Sequence, residues 1–190
     1  MSDMFVNSLR DRIRAINTLW KRAVSDMTLE HVNHHERPGV LPIAFSLSHC
    51  MRAQDASISL FFLGEPPIWE SGGWAKRIDV TVDRLGREET VEEMERLRFA
   101  DFSAWVAYQS EVIDRTSRVL ETVNEEMLAE VAMPALPPNM QNTFCGILVG
   151  RGNPIRKLEV LECFVYQHAL RHMGEMEHAR ALVGLGGMTS

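Results

Sequence analysis

Apolar residues recur at steps of three and four along four stretches of the chain, which is the spacing of one face of an α-helix. In the first stretch, apolar residues follow this spacing from Phe5 to Ala23. In the second, Pro42 suits a first helical turn, and Gly64 with two prolines close behind it ends the helix. The pattern therefore predicts four helices, at residues 2–25, 42–63, 88–126 and 155–183.

The third predicted helix is the longest, and its apolar seam has a period close to 3.5 residues. This period suits a helix packed in a bundle. Thr90 and Glu93 have the spacing of a capping box, which places the start of the helix near Thr90. The pattern also allows a break near Ala100 and Asp101.

Two connections are long and rich in glycine and proline, at residues 64–88 and 131–156. Connections of this length are often functional or packed as lids. The first contains Trp69 and Trp74, which either cover one end of the core or form the wall of a site. In the second, the apolar run at residues 144–149 is predicted to be a short strand.

The composition is ordinary for a globular protein: 45% of the 190 residues are apolar and 24% are charged. We therefore expect one domain spanning residues 1–190. Because two connections are long enough to cross between parallel neighbours, the expected fold class is all-α, a four-helix bundle with crossover connections.

Charge and hydropathy exclude several classes of partner. A net charge of -6 argues against sequence-independent binding to the phosphate backbone of nucleic acid. The chain has no run of about 18 apolar residues that would span a membrane, and its first residues lack the apolar core of a signal peptide. We expect a cytoplasmic protein that binds neither nucleic acid nor membrane.

Three cysteines, Cys50, Cys145 and Cys163, each lie among apolar neighbours and are expected to be small core residues. An odd number without paired spacing does not build a disulfide framework. Cys50 adjoins His49, but adjacent residues of a helix point about 100° apart, so Cys50 is not expected to share a ligand.

The chemistry of the sequence is concentrated in its histidines. His168 and His172 are four residues apart, which on a helix places them about 40° apart and roughly 6 Å along the axis. Both rings can then bind one metal ion, but two histidines leave a transition metal under-coordinated. His49 is the candidate for the third ligand, because it lies among apolar residues where a histidine needs a partner.

The other histidines are weaker candidates. His31 and His35 have the same spacing but lie in a polar stretch, so they are interpreted as solvated surface or, alternatively, as contributors near the mouth of the site. His178 lies about 240° around the helix from His172 and is expected to face elsewhere. From spacing alone, ordinary core or surface histidines remain an alternative to a metal site.

Two segments resemble the DinB-like (YfiT-like) family. The family's C-terminal helix has the pattern His-x3-His-x-Gly-Gln. A similar segment here is HALRHMGEMEHARALVGLGG, in which His168, His172 and Gly174 match the pattern. Glu175 stands where the family usually has glutamine. The family's second helix is similar to the segment that contains His49, IAFSLSHCMRAQDASISLFFLG.

The resemblance implies a DinB-like bundle with crossover connections that binds a divalent metal ion. It implies nickel or zinc, with iron or manganese as alternatives, held by His49, His168 and His172. It also implies a homodimer and a small-molecule substrate. Several members of the family are thiol-dependent transferases or isomerases that use mycothiol or bacillithiol.

We therefore expect a metal-dependent transferase or hydrolase, with a low-molecular-weight thiol as a candidate substrate. Three histidines would leave coordination positions open for water or a thiolate. No catalytic residue is assigned, and Glu175 is either a partner of His172 or a solvated charge. The alternative is a non-catalytic dimeric bundle with a structural or vestigial metal site, in which the long third helix forms the dimer seam.

Overall fold

The computed structural model describes residues 2–83 and 90–188. This part of the chain is mostly helical and contains one small two-stranded ribbon. Its α-helices are α1 (Ser2–Val24), α2 (Leu29–Asn33), α3 (Ile43–Ile58), α4 (Ile68–Ser71), α5 (Trp74–Ile78), α6 (Val91–Met94), α7 (Phe102–Thr122), α8 (Glu125–Ala129), α9 (Phe144–Val149), α10 (Lys157–Glu159) and α11 (His168–Leu182). The strands are β1 (Val131–Met133) and β2 (Ile155–Arg156), which pair antiparallel.

Two of the helical segments contain π-helix, in which the backbone hydrogen bonds span five residues. α3 continues into a π-helical turn at Ser59–Leu63, and Gly64 ends it in the left-handed conformation with φ 65°. The π-helix Val160–Gln167 joins α10 to α11, so residues 157–182 form one continuous segment, called here the C-terminal helix. The sequence predicted both of these long helices to within a few residues.

The core forms where the long helices bury their apolar faces against each other. α3 packs on both α7 and α11, and α1 packs on both α7 and α11 as well. Trp20 from α1, Leu47 and Met51 from α3, and Trp105 and Tyr108 from α7 are almost completely buried. This packing fixes α3 and α11 side by side, which is what places their histidines in reach of one another.

The third helix is shorter than the sequence predicts. Of the predicted span 88–126, residues 88 and 89 lie outside the described part. The capping box of Thr90 and Glu93 is confirmed, but it starts only the short α6. α7 begins after Asp101, whose carboxylate accepts a hydrogen bond from the Ala104 N–H at 2.9 Å. The predicted break is therefore present.

A tertiary contact explains this break. The Asn33 side-chain amide donates to the Phe99 carbonyl at 2.8 Å and accepts from the Phe99 N–H at 3.0 Å. The Asp101 N–H donates to the Ile78 carbonyl at 3.0 Å. Backbone groups bonded to other elements cannot also form helical hydrogen bonds, so packing overrides the apolar period here.

The short strand predicted at residues 144–149 is wrong, because these residues form α9. Thr143 caps this helix by accepting a hydrogen bond from the Gly146 N–H at 3.4 Å. Gly146 lies so close to the preceding turn that a Cβ atom there would be 2.3 Å from the Gln141 carbonyl oxygen. The cap and the close approach decide the structure of a run whose apolar residues fit either helix or strand.

Within the described residues, no helix is both long enough and apolar enough to cross a membrane.

Candidate metal centre

Three imidazole rings meet between α3 and the C-terminal helix. The Nε2 atom of His168 lies 3.1 Å from Nε2 of His49 and 3.2 Å from Nε2 of His172. The rings stand edge-on to one another, at interplanar angles of 65° to 80°. His172 is buried, whereas His49 and His168 are half-buried. The three residues predicted from the sequence are thus brought together.

Helical geometry explains the position of each ring. His168 is the first residue of α11, and His172 lies one turn later on the same face, as their spacing predicts. His168 follows the π-helix, and its N–H donates to the Cys163 carbonyl five residues earlier. His49 faces them from α3 and stacks on Phe45 at 5.5 Å between ring centres.

The nitrogen separations fit a single metal ion. With metal–nitrogen bonds of about 2.1 Å, two ligand nitrogens lie about 3.4 Å apart in a tetrahedral site and about 3 Å apart at the right angles of an octahedral site. The observed separations of 3.1 and 3.2 Å fall between these values. The group formed by His49, His168 and His172 could therefore hold a metal ion.

Glu175 fixes the tautomer of one of these rings. Nδ1 of His172 lies 2.5 Å from the Glu175 carboxylate. This hydrogen bond lowers the pKa of Glu175 below its usual value against the opposing effect of burial, and the nearby charge of Arg171 adds to the lowering. A carboxylate accepts the proton of Nδ1, so Nε2 of the neutral ring presents its lone pair towards the other two histidines.

A cavity of about 230 Å³ opens beside the three rings. Its polar lining includes Thr143, Gln167 and the exposed guanidinium of Arg171. Its remaining lining is apolar or carries thiols, from Met140, Phe144, Cys145, Cys163 and Phe164. A space of this size takes a small ligand, since one water occupies about 30 Å³.

The cavity also contains residues that the sequence did not single out. Gln167 and Arg171 each immediately precede a predicted ligand, and this adjacency is a signal that could have identified them. Cys145 and Cys163 were expected to be core residues, and both are indeed buried. Their shared place in the wall of the cavity had no signal in the sequence, because they lie on different helical segments.

The two tryptophans belong to the core. Trp69 and Trp74 both pack against Tyr108, with ring centres 5.1 and 5.6 Å apart. The Trp69 indole N–H also donates to Asp83 at 2.9 Å. In the described part of the chain, neither tryptophan lines the cavity beside the histidines. Of the two interpretations, covering the core is the one that the contacts favour.

The other histidines weighed as candidates, His31, His35 and His178, are not part of the three-histidine group. His31 completes a capping box, because its Nδ1 accepts a hydrogen bond from the Thr28 N–H at 3.2 Å. His35 lies 3.5 Å from the Glu95 carboxylate. His178 is exposed on α11. These contacts agree with the expectation that the three are not ligands.

The chain matches no protein-family model, and no curated protein matches it. It is similar to a solved structure, the crystal structure of the conserved protein of locus from Enterococcus faecalis. The similarity covers 93% of this chain and 95% of that chain, with a TM-score of 0.73 and 18% sequence identity. At this identity the likeness concerns the fold alone.

Proposed function

We propose that the protein binds one divalent metal ion through His49, His168 and His172 and uses it in a transfer or hydrolysis reaction. The observation that carries the proposal is that Nε2 of His168 lies 3.1 Å from Nε2 of His49 and 3.2 Å from Nε2 of His172, in a group whose ligand atoms all lie within 4.8 Å of one another. A neutral imidazole offers one donor and one acceptor. Three ring nitrogens that face a common point are best satisfied by a cation at that point.

The substrate class that we propose is a small molecule with a metal-binding group, with a low-molecular-weight thiol as the first candidate. A bound divalent ion would lower the pKa of water or of a thiol, supplying a nucleophile near neutral pH. Glu175 holds the His172 ring in its ligand tautomer. Arg171 offers a positive charge to an anionic group of the substrate, and Phe164 limits the access of water.

We also propose that the fold is a DinB-like four-helix bundle with crossover connections and that the protein is a homodimer. Support for the bundle comes from the mutual packing of α1, α3, α7 and the C-terminal helix. The ligand arrangement, one histidine from the second long helix and two from the last, agrees with the DinB-like resemblance. The homodimer follows from the resemblance only, and the mass of the protein in solution tests it.

The alternative is a non-catalytic dimeric bundle in which the metal is structural. It has less support, because α7 buries its apolar residues inside the chain instead of offering them as a dimer seam. The open cavity beside the histidines also favours a site that admits a ligand. A structural site is usually closed by four protein ligands.

Metal content is the decisive measurement. Untagged protein purified without chelator is expected to carry about one metal ion per chain by elemental analysis, as three ligands on one centre require. His49→Ala and His168→Ala are expected to lose it. The matched control is His178→Ala, which removes an exposed histidine from the same helix as His168 and is expected to keep the metal. An empty but folded wild-type protein after incubation with nickel, zinc, iron or manganese contradicts the proposal.

Activity is tested after metal binding. Metal-loaded protein is assayed for transfer of a thiol to small electrophiles and for hydrolysis of small esters and amides. Each assay is repeated with the His49→Ala variant, which separates metal-dependent turnover from background. Metal binding without turnover in any of these assays would favour the structural alternative.

A further inference from the structure

A second cavity lies between α11 and the segment that leads into α3. Its volume is about 350 Å³, and its walls come from residues 34–46 and from residues 175–183. In the described part of the chain, it shares no lining residue with the cavity beside the three histidines. Glu175 lines this second cavity and His172 lines the first, so their hydrogen-bonded pair separates the two. The second cavity is called here the α11 cleft.

The α11 cleft has the composition of a small-molecule site. Most of its wall is apolar, and the residues that provide this surface are Val40, Leu41, Ile43, Ala179, Leu182 and Val183. Ligand sites usually have volumes of about 300 to 1,000 Å³ and combine an apolar wall with a few polar groups that orient the ligand. At about 350 Å³, the cleft suits a small molecule with a short apolar body.

The charged groups of the cleft favour a ligand with a positive charge. Glu36 and Glu175 contribute two carboxylates, and the described residues that line the cleft include no lysine or arginine. The other ionisable groups there are His34 and His178. Nε2 of His34 lies 3.0 Å from one oxygen of the Glu36 carboxylate. A carboxylate has a second oxygen, which can accept a hydrogen bond from a ligand.

Ser46 is an independent sign that the cleft takes a ligand. This residue of α3 is 9% exposed and lines the cleft. Its hydroxyl makes no hydrogen bond to any other residue that the structure describes. By contrast, the hydroxyl of Ser57 on the same helix donates to the Ala53 carbonyl at 2.7 Å, as helical serines often do. A buried hydroxyl usually has a partner, and a group that enters the cleft would supply one for Ser46.

Hydrogen bonds hold the wall that residues 34–41 form. The Glu95 carboxylate accepts a hydrogen bond from the Gly39 N–H and lies 3.5 Å from Nε2 of His35. Gly39 has a φ of 85°, which glycine adopts at little cost. The Val40 N–H donates to the Arg37 carbonyl at 3.1 Å and closes the turn. Because the wall is already formed, little ordering is needed when a ligand binds.

We propose that the α11 cleft binds a small primary amine with a short aliphatic body. The carboxylates of Glu36 and Glu175 provide the negative charge that an ammonium group requires. The Ser46 hydroxyl accepts a hydrogen bond from the ammonium group, and the aliphatic body covers the apolar wall. The site needs no metal ion, so this inference goes beyond the proposed function and does not rest on it.

The test uses three probes with the same aliphatic chain: hexylamine, 1-hexanol and hexanoate, which are positive, neutral and negative near neutral pH. Each is titrated into the full chain after treatment with chelator, which removes any metal that an amine could bind, and binding is followed by NMR. Hexylamine is expected to bind about tenfold more tightly than hexanol, as one hydrogen bond to a charged group provides. Hexanoate is expected to bind most weakly. Equal affinities, tightest binding of hexanoate, or no binding of hexylamine overturns the proposal.

Variants locate the amine in the cleft. Glu36→Gln removes one charge at nearly constant shape, so hexylamine affinity is expected to fall several-fold while hexanol affinity is unchanged. The matched control is Glu30→Gln, which removes the same charge from an exposed position of α2 outside the cleft and is expected to change neither affinity. Ser46→Ala is expected to weaken hexylamine binding. An unchanged hexylamine affinity in both Glu36→Gln and Ser46→Ala overturns the assignment.

Two further variants separate this site from other places where an amine could bind. Ala179→Phe fills the cleft and is expected to abolish binding of hexylamine and hexanol, with folding checked by circular dichroism. His168→Ala removes a residue that lines the histidine cavity and not the cleft, so it is expected to bind hexylamine as the wild type does. Loss of hexylamine binding in His168→Ala would place the amine at the histidines and overturn the proposal. Failure of the wild type to bind metal would not affect these titrations.

Discussion

Helix α3 carries two polar centres within two turns of each other, and they are built in opposite ways. Asp55 is 1% exposed, and its carboxylate accepts four hydrogen bonds. The donors are the Ile68 N–H at 2.9 Å, the Trp69 N–H at 2.8 Å, the Ser59 hydroxyl at 3.1 Å and the Tyr108 hydroxyl at 3.1 Å. This centre is complete with protein atoms alone.

The centre at His49 instead brings together three atoms of the same kind, the Nε2 nitrogens of three histidine rings. The Nε2 atoms of His49 and His172 both lie within 3.2 Å of Nε2 of His168, and the Glu175 carboxylate contacts the other nitrogen of the His172 ring. A buried carboxylate surrounded by donors holds the loop after α3 in place. A group of ring nitrogens at bonding distance from a common point is suited to a ligand. The comparison distinguishes the polar group at Asp55, which stabilises the fold, from the group at His49, which is suited to binding a ligand.

The largest effect is expected from breaking the Asp55 centre. Asp55→Ala leaves two buried backbone N–H groups and the Tyr108 hydroxyl without their acceptor. We expect the free energy of unfolding to fall by about 4 kcal/mol, measured by urea denaturation. Asp114→Ala, which removes an exposed partner of Lys21, is the control and should change it by about 0.5 kcal/mol or less. Equal effects of the two variants would contradict the comparison.

Metal addition sharpens the comparison at the other centre. A free metal concentration 100 times the dissociation constant should raise the free energy of unfolding of the wild type by about 2.7 kcal/mol. His49→Ala should lose this increase, while the metal-free stability of the variant stays close to that of the wild type. If His49→Ala instead destabilises the metal-free protein as strongly as Asp55→Ala does, the histidines are a structural network too.

Glu175 connects the metal centre to its surroundings and should have an intermediate effect. Glu175→Ala removes the acceptor of the His172 Nδ1 proton. Metal affinity should fall by about tenfold, or about 1.4 kcal/mol, measured by competition with a chromophoric chelator. Glu175→Gln keeps an acceptor oxygen without the charge and should lie between the alanine variant and the wild type. Unchanged affinity in both variants would mean that Glu175 is only a solvated charge.

The smallest effect is expected at Tyr108. Tyr108→Phe removes one of the four hydrogen bonds to Asp55 and keeps the packing of the ring against Trp69. The free energy of unfolding should fall by about 1 kcal/mol. Metal affinity, measured as for Glu175, should not change. A loss of metal affinity would show that the two centres of α3 are coupled.

The sequence predicted best where the structure depends on local pattern. Pro42 and Gly64 predicted where the helical segment of α3 and its π-helical turn begins and ends. Helical spacing predicted that His168 and His172 share a face. His49 was placed by an argument about burial, since a polar ring among apolar residues needs a partner. These inferences use residues within a turn or two of each other.

The predictions failed where distant residues decide the structure. The hydrogen bonds between Asn33 and Phe99 join residues 66 positions apart and interrupt the predicted single span 88–126, so that α6 and α7 are separate helices. The presence of Cys145 and Cys163 in the wall of one cavity depends on how α9 packs against the C-terminal helix. The close approach of Gly146 in α9 to the Gln141 carbonyl is likewise not visible in the spacing of apolar residues. Such contacts follow from the tertiary fold and cannot be obtained from apolar spacing.

The π-helix before His168 has a consequence for changes in chain length. A π-helix takes up more residues per turn than an α-helix, and such segments are commonly found near functional sites. Losing one residue within Val160–Gln167 would let the segment tighten into α-helix while α11 keeps its direction. Losing one residue between His168 and His172 would instead turn one ring about 100° away from the other. The segment before the histidines therefore tolerates a deletion that the segment between them does not.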